Sequence, residues 1–310
     1  MKLRMARRIV PLVAALAAVT ATTAATAAPS NQGAQGQQPA KHGQFAVGPQ
    51  YDTTHVYVEP GTEQAFVKSW TSTFGGTTIG PVSTQVTPTP SRTMSELIVS
   101  PVGTLSVFDY TTPIPYPFGA ERTGWLVTDL DKAVDAARAD GATVTVKPFA
   151  DPIGRDAIVQ FPGGISAQLY VHTGPTSYPA LASVPENRLY LSPDSVGDFL
   201  DSYLAFTQGR IVSDNRKADG AAIGLPGTTY RLIRLTSGFG TTTVAVTDGH
   251  LPYPYGKELT GYGVSDLGAT LDKAKAAGAT VLSGPTRAGG RDTAMVQFPG
   301  GYIAEVHSNS

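Results

Sequence analysis

The feature that most constrains this chain is a duplication. Pro115-Tyr116-Pro117-Phe118-Gly119 recurs 137 residues later as Pro252-Tyr253-Pro254-Tyr255-Gly256. At the same offset of 137, Thr123-Gly124-Trp125-Leu126-Val127-Thr128-Asp129-Leu130 recurs as Thr260-Gly261-Tyr262-Gly263-Val264-Ser265-Asp266-Leu267. Gly141-Ala142-Thr143-Val144 recurs as Gly278-Ala279-Thr280-Val281, and Val159-Gln160-Phe161-Pro162-Gly163-Gly164 as Val296-Gln297-Phe298-Pro299-Gly300-Gly301. Upstream, the block from His55 to Pro60 parallels that from Arg188 to Pro193. The period far exceeds the roughly 20–50 residues of a solenoid repeat. It predicts two homologous domains, residues 51–175 and 185–310, joined by a Pro-containing linker.

Each half divides again. Residues 56–58 alternate like a half-buried strand, and 63–73 follow with helical spacing. Residues 125–127 start the pattern anew. The segment 129–140 carries Leu130, Ala133, Val134 and Ala137 on one helical stripe, with Asp129 as N-cap and Gly141 as terminator. Strands are expected at 143–148, 157–161 and 166–171, the last two joined by Pro162-Gly163-Gly164. Each unit reads β-α-β-β-β, giving four units. The Gly (34) and Pro (24) content suits such short strands and turns. The Pro-Tyr-Pro segments form rigid joints between the two units of each half.

With these blocks in place, the chain resembles the vicinal oxygen chelate superfamily, which includes glyoxalase I, bleomycin-resistance proteins and extradiol dioxygenases. The resemblance rests on the strand–helix block from Val127 to Ala142 and from Val264 to Ala279. It rests also on the endings Phe161 to Leu169 and Phe298 to Val306, and it covers most of residues 51–310. It implies an α+β fold of two tandem glyoxalase-like domains, each a pair of βαβββ units forming a cleft. It also implies, for metal-dependent members, a divalent transition metal held by His or Gln on the first strand of each unit and Glu on the last.

Strand alternation puts His55, Tyr57 and Glu59 on the cleft side of the first strand, and Val56 and Val58 on the core side; alignment from the following helix instead puts the superfamily's first-strand ligand nearer Thr53. The matching position in the second half is Arg188, which does not bind metals. The second-unit positions fall at Arg122 and Leu259, and the last-strand positions at Gln168 and Glu305. At the last strand of the inner unit the candidate cleft ligands are Asp109 in the first half and Thr247 or Asp248 in the second. His55, Gln168, Asp248, His250, Glu305 and His307 are therefore the candidate metal ligands, but neither half offers the three protein ligands that catalytic sites usually need. The second half lacks both histidines of an extradiol dioxygenase. The expectation is that no canonical metal is bound, with a divalent transition metal held by some of these residues as the open alternative and no other cofactor indicated. Glu305 is the candidate catalytic residue, and His55, Tyr57, Tyr116, Phe118, Gln168, Tyr190, Tyr253 and Tyr255 are the candidate ligand-binding residues. Arg155-Asp156 and Arg291-Asp292 read as ion pairs at turns. No nucleophile elbow or phosphate-binding loop is present.

Residues 1–27 read as an export signal: Lys2, Arg4, Arg7 and Arg8 precede an apolar run, and Ala25-Thr26-Ala27 offers a cleavage site. The run is too short for the ~20 residues of a membrane span. Residues 28–50 read as a disordered linker. Cleavage near Ala27 would release a secreted or periplasmic protein with no stable membrane insertion. The chain has no cysteine, which excludes disulfides and thiolate chemistry. A net charge of −1 gives no reason for a nucleic-acid partner. The favoured function is binding of a small organic molecule in an aromatic-lined cleft, by a monomer. The alternatives are a metal-dependent glyoxalase-type lyase or isomerase using Glu305, and a non-catalytic structural or interaction protein with vestigial clefts.

Overall fold

The computed structural model describes residues 44–174, 181 and 183–309. The expected leader, and residues 28–43 of the expected linker, lie outside the described residues. The first half runs β1 (Thr53–Tyr57), α1 (Glu63–Phe74), β2 (Thr77–Thr84), β3 (Thr93–Ser100), β4 (Gly103–Tyr110), β5 (Thr123–Leu126), α2 (Leu130–Ala139), β6 (Thr143–Ala150), β7 (Gly154–Phe161) and β8 (Ile165–His172). The second half repeats this as β9 (Glu186–Leu191), α3 (Val196–Thr207), β10 (Arg210–Asp219), β11 (Thr229–Ser237), β12 (Gly240–Val246), β13 (Leu259–Gly263), α4 (Leu267–Ala276), β14 (Thr280–Ala288), β15 (Arg291–Gln297) and β16 (Ile303–Asn309).

Each half is one sheet of eight strands, in the orders β2-β3-β4-β1-β5-β8-β7-β6 and β10-β11-β12-β9-β13-β16-β15-β14. Within a unit the first and last strands are parallel (β1 with β4, β5 with β8), and the intervening helix allows that crossover. The two units of a half join through their first strands, antiparallel, as β1–β5 and β13–β9. First strands therefore lie mid-sheet, where their outward side chains line the concave face.

The helix ends follow from local chemistry. Asp129 accepts the Lys132 N–H at 3.1 Å and Asp266 accepts that of Ala269 at 2.9 Å, each satisfying an otherwise orphaned donor. Gly141 and Gly278 follow helices α2 and α4 with φ of 94° and 90°, which an L side chain adopts only with strain. Helix α1 is capped from a distance: the Asp109 carboxylate accepts the N–H groups of Gly61 at 2.8 Å and Glu63 at 3.2 Å. This corrects the reading of Asp109 as a cleft ligand. On β4, Phe108 and Tyr110 face the cleft, so residue 109 faces the helix.

The core does not respect the duplication. Helix α1 buries Phe66 and Trp70 against second-half residues, with ring centroids 4.8 Å (Trp70–Tyr262), 4.9 Å (Trp70–Phe298) and 5.7 Å (Phe66–Tyr302) apart. The other core joins Trp125 and Phe161 to Tyr203 and Phe239, at 5.3 Å for Phe161–Tyr203 and 4.6 Å for Trp125–Phe239. The first unit thus packs on the fourth and the second on the third.

The segment that precedes β1 lies along β5. Phe45 is buried and stacks on Phe206 at 6.1 Å. Val47 N–H donates to the Leu126 carbonyl at 3.2 Å, and Thr128 N–H to that of Phe45 at 2.9 Å. Two apolar side chains in a Gln/Gly-rich stretch suffice to dock it beside β5.

Candidate functional site

The first cleft is filled by its own side chains. His55 and Tyr57 come from β1 and Phe108 from β4. His55 Nδ1 lies 3.2 Å from Glu121 Oε1, and the Tyr57 hydroxyl donates to the same oxygen. Glu121 is fully buried. His55, Phe108, Tyr110 and Phe118 are all buried too, and the Tyr57 and Phe108 rings stack at 5.3 Å. The Arg122 guanidinium sits 5.9 Å over the Tyr57 ring. Gly124 pairs with Gln168 across β5 and β8; a Cβ there would stand 2.6 Å from His55 Nε2. Burial, with Asp151 nearby, raises the Asp156 carboxyl to about 8 despite a hydrogen bond from Gln168.

The second cleft holds a network of charges. Strand β9 presents Glu186, Arg188 and Tyr190; β13 presents Leu259 and Gly261; β16 presents Glu305 and His307. Arg188 Nη1 lies 3.0 Å from Glu186 Oε1 and 3.7 Å from Glu305 Oε1. Arg291 Nη1 reaches Glu186 Oε1 at 3.1 Å and its Nη2 reaches Oε2 at 3.2 Å. The Thr293 hydroxyl donates to Glu305 Oε1, and His307 Nδ1 meets Oε2 at 2.8 Å. Glu305 is 1% exposed. Burial alone would raise its carboxyl, but Arg188, His307 and Thr293 outweigh that and hold it at about 2. The same balance, through Arg188 and Arg291, lowers Glu186.

Beside this floor stand tyrosines. Tyr190, Tyr230 and Tyr255 pack with Ala218, Ile223 and Ala245. The Tyr255 hydroxyl pairs with that of Ser283 at 2.9 Å. The Tyr190 hydroxyl and Arg188 Nε are shielded from solvent and lack a hydrogen-bond partner. Burial pushes Tyr190 up to about 12 although Arg188 opposes the shift. The Pro-Tyr-Pro joints divide their aromatics: Tyr116 and Tyr253 are 79% and 64% exposed, whereas Phe118 is buried against Phe149.

The residues do not fit the metal of the superfamily's metal enzymes. In the second cleft its three positions carry a guanidinium (Arg188), no donor (Leu259 and Gly261) and one carboxylate already engaged by Arg188, Thr293 and His307. A Cβ on Gly261 would stand 2.6 Å from Glu305 Oε2, so that position has no room for a ligand side chain. In the first cleft, Arg122 and Gly124 leave the matching position without a donor. Asp248 and His250 pair with each other at 3.3 Å on an exposed loop. Among the described residues no three His, Asp or Glu gather into a metal-binding group.

Several members of these clusters were not apparent from sequence. Glu121, Glu186, Thr293 and Tyr230 escaped notice, although Glu121 and Glu258 hold the same place in the repeat. Arg291 pairs with Glu186 and not with its neighbour Asp292, which pairs with Arg287 at 3.5 Å; Arg155 pairs with Asp131 at 2.8 Å while Asp156 turns into the cleft. Adjacent residues on a strand face opposite ways, which separates both expected turn pairs.

Comparison with solved structures agrees with this architecture. The chain resembles a triple mutant of 4-hydroxymandelate synthase from Streptomyces coelicolor over 84% of its own length and 92% of that chain, with a TM-score of 0.54 and 12% identity. It resembles an extradiol ring-cleaving dioxygenase from B. fuscum over 88% of its own length and 75% of that chain, with a TM-score of 0.53 and 13% identity. No protein-family model and no curated protein matches the sequence. The chain has the vicinal oxygen chelate fold, as two tandem domains of paired βαβββ units. At such identities the likeness is one of fold, and function must be argued from the site.

Proposed function

We propose that this is an exported protein whose second cleft binds a small organic molecule without a metal. One observation carries the reading: the Arg188 guanidinium occupies the first metal-ligand position and is held there by Glu186 and Glu305, beside a wall of Tyr190, Tyr230 and Tyr255. A fixed cation next to flat apolar surfaces is a combination that many small-molecule sites use. A divalent ion would have to displace or repel that guanidinium. The first cleft serves a structural role in this reading, since His55, Glu121, Phe108 and Tyr110 occupy its interior.

Export is supported by the charged, apolar and A-x-A pattern of residues 1–27, and among the described residues no helix is long and apolar enough to cross a membrane. A monomer is supported by the pairing of all four units within one chain. The test is metal analysis of the mature protein, purified without chelator or histidine tag, followed by melting-temperature screening against neutral, acidic and basic metabolites. No metal and a ligand-dependent rise are expected. Near-stoichiometric Ni, Zn, Mn or Fe, or no response to any ligand, would overturn the reading. N-terminal sequencing of the exported form checks cleavage near Ala27, and light scattering checks the monomer.

A further inference from the structure

The second cleft is covered by a segment with a single polar tether. The chain leaves β12 at Thr247, whose N–H donates to the Leu191 carbonyl at 2.9 Å, and re-enters the sheet at Leu259. Between them, hydrogen bonds stay local. Gly249 N–H donates to the Thr247 hydroxyl at 3.2 Å and His250 N–H to the Asp248 carboxylate at 3.1 Å. Leu251 N–H donates to the Gly249 carbonyl at 3.0 Å and Tyr255 N–H to the Pro252 carbonyl at 2.9 Å. Among the described residues, one hydrogen bond of residues 248–258 reaches another element, that between the Tyr255 and Ser283 hydroxyls at 2.9 Å. The first half is built otherwise. There Glu121 ties the same joint to β1 through His55 and Tyr57, whereas its counterpart Glu258 forms no hydrogen bond or ion pair with a described residue.

The apolar hold on this segment is small. Leu251 and Tyr255 pack on Ala218, Ile223, Tyr230 and Ala245, a cluster separate from the two main cores, with Tyr190 against the same cluster. Tyr255 and Pro252 also rest on Gly224, where a Cβ would stand 2.6 Å from the Tyr255 ring and 2.7 Å from Pro252 Cγ. Gly224 follows a turn of 3-10 helix, Gly220–Ile223, that has no counterpart between β2 and β3 among the described residues. Most of residues 248–258 are exposed. Few buried apolar contacts and a single tether mark a region that opens at a lower cost than global unfolding. Beneath it, the Tyr190 hydroxyl is a buried donor without a partner, which an admitted polar group would satisfy.

We propose that residues 248–258 are a flap that admits ligands to the second cleft, opening as the Tyr255–Ser283 hydrogen bond breaks and the Tyr255 ring lifts off the cluster around Tyr230 and Ala245. Covers of this kind exclude water from a site and gate exchange with it. The inference rests on the small-molecule reading above and adds how the site is entered.

The chain has no cysteine, so one introduced thiol reports opening without any ligand. Ala245→Cys places the reporter under the flap, at a position 7% exposed, and Ala133→Cys places a control in the core on α2. The probe is methyl methanethiosulfonate at pH 7.5, followed by intact mass on the full mature chain. Ala245→Cys is expected to react at least tenfold slower than the same chain unfolded in urea, and at least a hundredfold faster than Ala133→Cys. Adding Tyr255→Phe or Ser283→Ala should speed the Ala245→Cys reaction about fivefold, the factor one ordinary hydrogen bond is worth. The two together should do no more than either alone, because they break the same bond. Tyr203→Phe, which removes a core hydrogen bond to Thr242, should leave that rate unchanged. Should Ala245→Cys fail to fold, Ala218→Cys reports from the same cluster. Equal reaction at the two reporter positions, a rate as fast as in urea, no response to Tyr255→Phe and Ser283→Ala, or an equal response to Tyr203→Phe would overturn the flap and leave the site standing. A gated thiol beside an empty metabolite screen would overturn the small-molecule reading, and with it the flap's role in entry, while the opening itself stands.

Discussion

Replacing Arg188 with Met tests the reading that its guanidinium substitutes for a cation in the second cleft. Glu305 is held at about 2, against roughly 4.3 for a free glutamate. That difference, roughly 2.3 units, contributes about 3 kcal/mol of stability at neutral pH. The sign follows from the lowered value: the contribution is present above about pH 4.3 and is lost as pH falls toward 2. Without Arg188, burial dominates and the Glu305 carboxyl rises above its ordinary range. The variant then loses stability as pH rises, where the parent gains it. Removing one partner of a buried pair costs about 3–5 kcal/mol, a fall in Tm of roughly 10 °C for a chain of this size. The assay is urea denaturation of parent and variant from pH 7.5 to pH 4. The gap should be widest at pH 7.5 and shrink on acidification, and the double variant Arg188→Met/Glu305→Gln should recover more than half of it. A loss below about 1 kcal/mol at pH 7, or one that does not change with pH, would refute the reasoning.

The first cleft has the opposite pH signature. Asp156, raised to about 8, binds a proton in the folded state that an unfolded aspartate releases near ~3.9, so it costs stability progressively between pH 4 and 8. Asp156→Asn should match the parent at pH 4 and exceed it at pH 8 by a few kcal/mol on the order set by linkage, read as Tm against pH. Trp70→Ala should cost about 3–5 kcal/mol and lower both halves in one transition, since its ring neighbours Tyr262 and Phe298 belong to the other half; two separated transitions in calorimetry would count against the shared core. Gly261→Ala should cost about 1–3 kcal/mol by pressing a methyl toward Glu305 Oε2 and Arg188 Cδ, as chemical denaturation would report.

Much of the fold was legible because its signals are local. The period-2 alternation around His55 and Arg188, the N-caps Asp129 and Asp266, and the glycines after α2 and α4 each act within a few residues, and duplication printed them twice. The clefts were legible only in part. Strand parity put His55, Gln168, Arg188 and Glu305 on concave faces. Glu121 escaped because it precedes β5 and follows no strand alternation. Arg291 was judged against Asp292 beside it, while its partner Glu186 is 105 residues away in sequence. Phe45 sits in a stretch whose composition argues for disorder, and only the apolar face beside β5 overrides that composition. The pairing of units was not legible at all: four helices with similar apolar stripes give no local mark of which packs on which.

That crossed pairing explains how one chain can keep two clefts with such different interiors. Each βαβββ unit buries its helix against a unit of the other half, so the cores centred on Trp70 and Trp125 lie on the convex sides of the sheets. The concave faces are not the main source of folding energy. They can diverge as long as each remains electrostatically satisfied. The first does so by closing over Glu121 with His55 and Tyr57. The second does so by setting Arg188 and Arg291 against Glu186 and Glu305. If the cores carry the fold, residues 44–174 or 183–310 expressed alone should lack fixed tertiary structure, because each would expose half of both cores. A dispersed amide spectrum from either isolated half would show that its own sheet suffices.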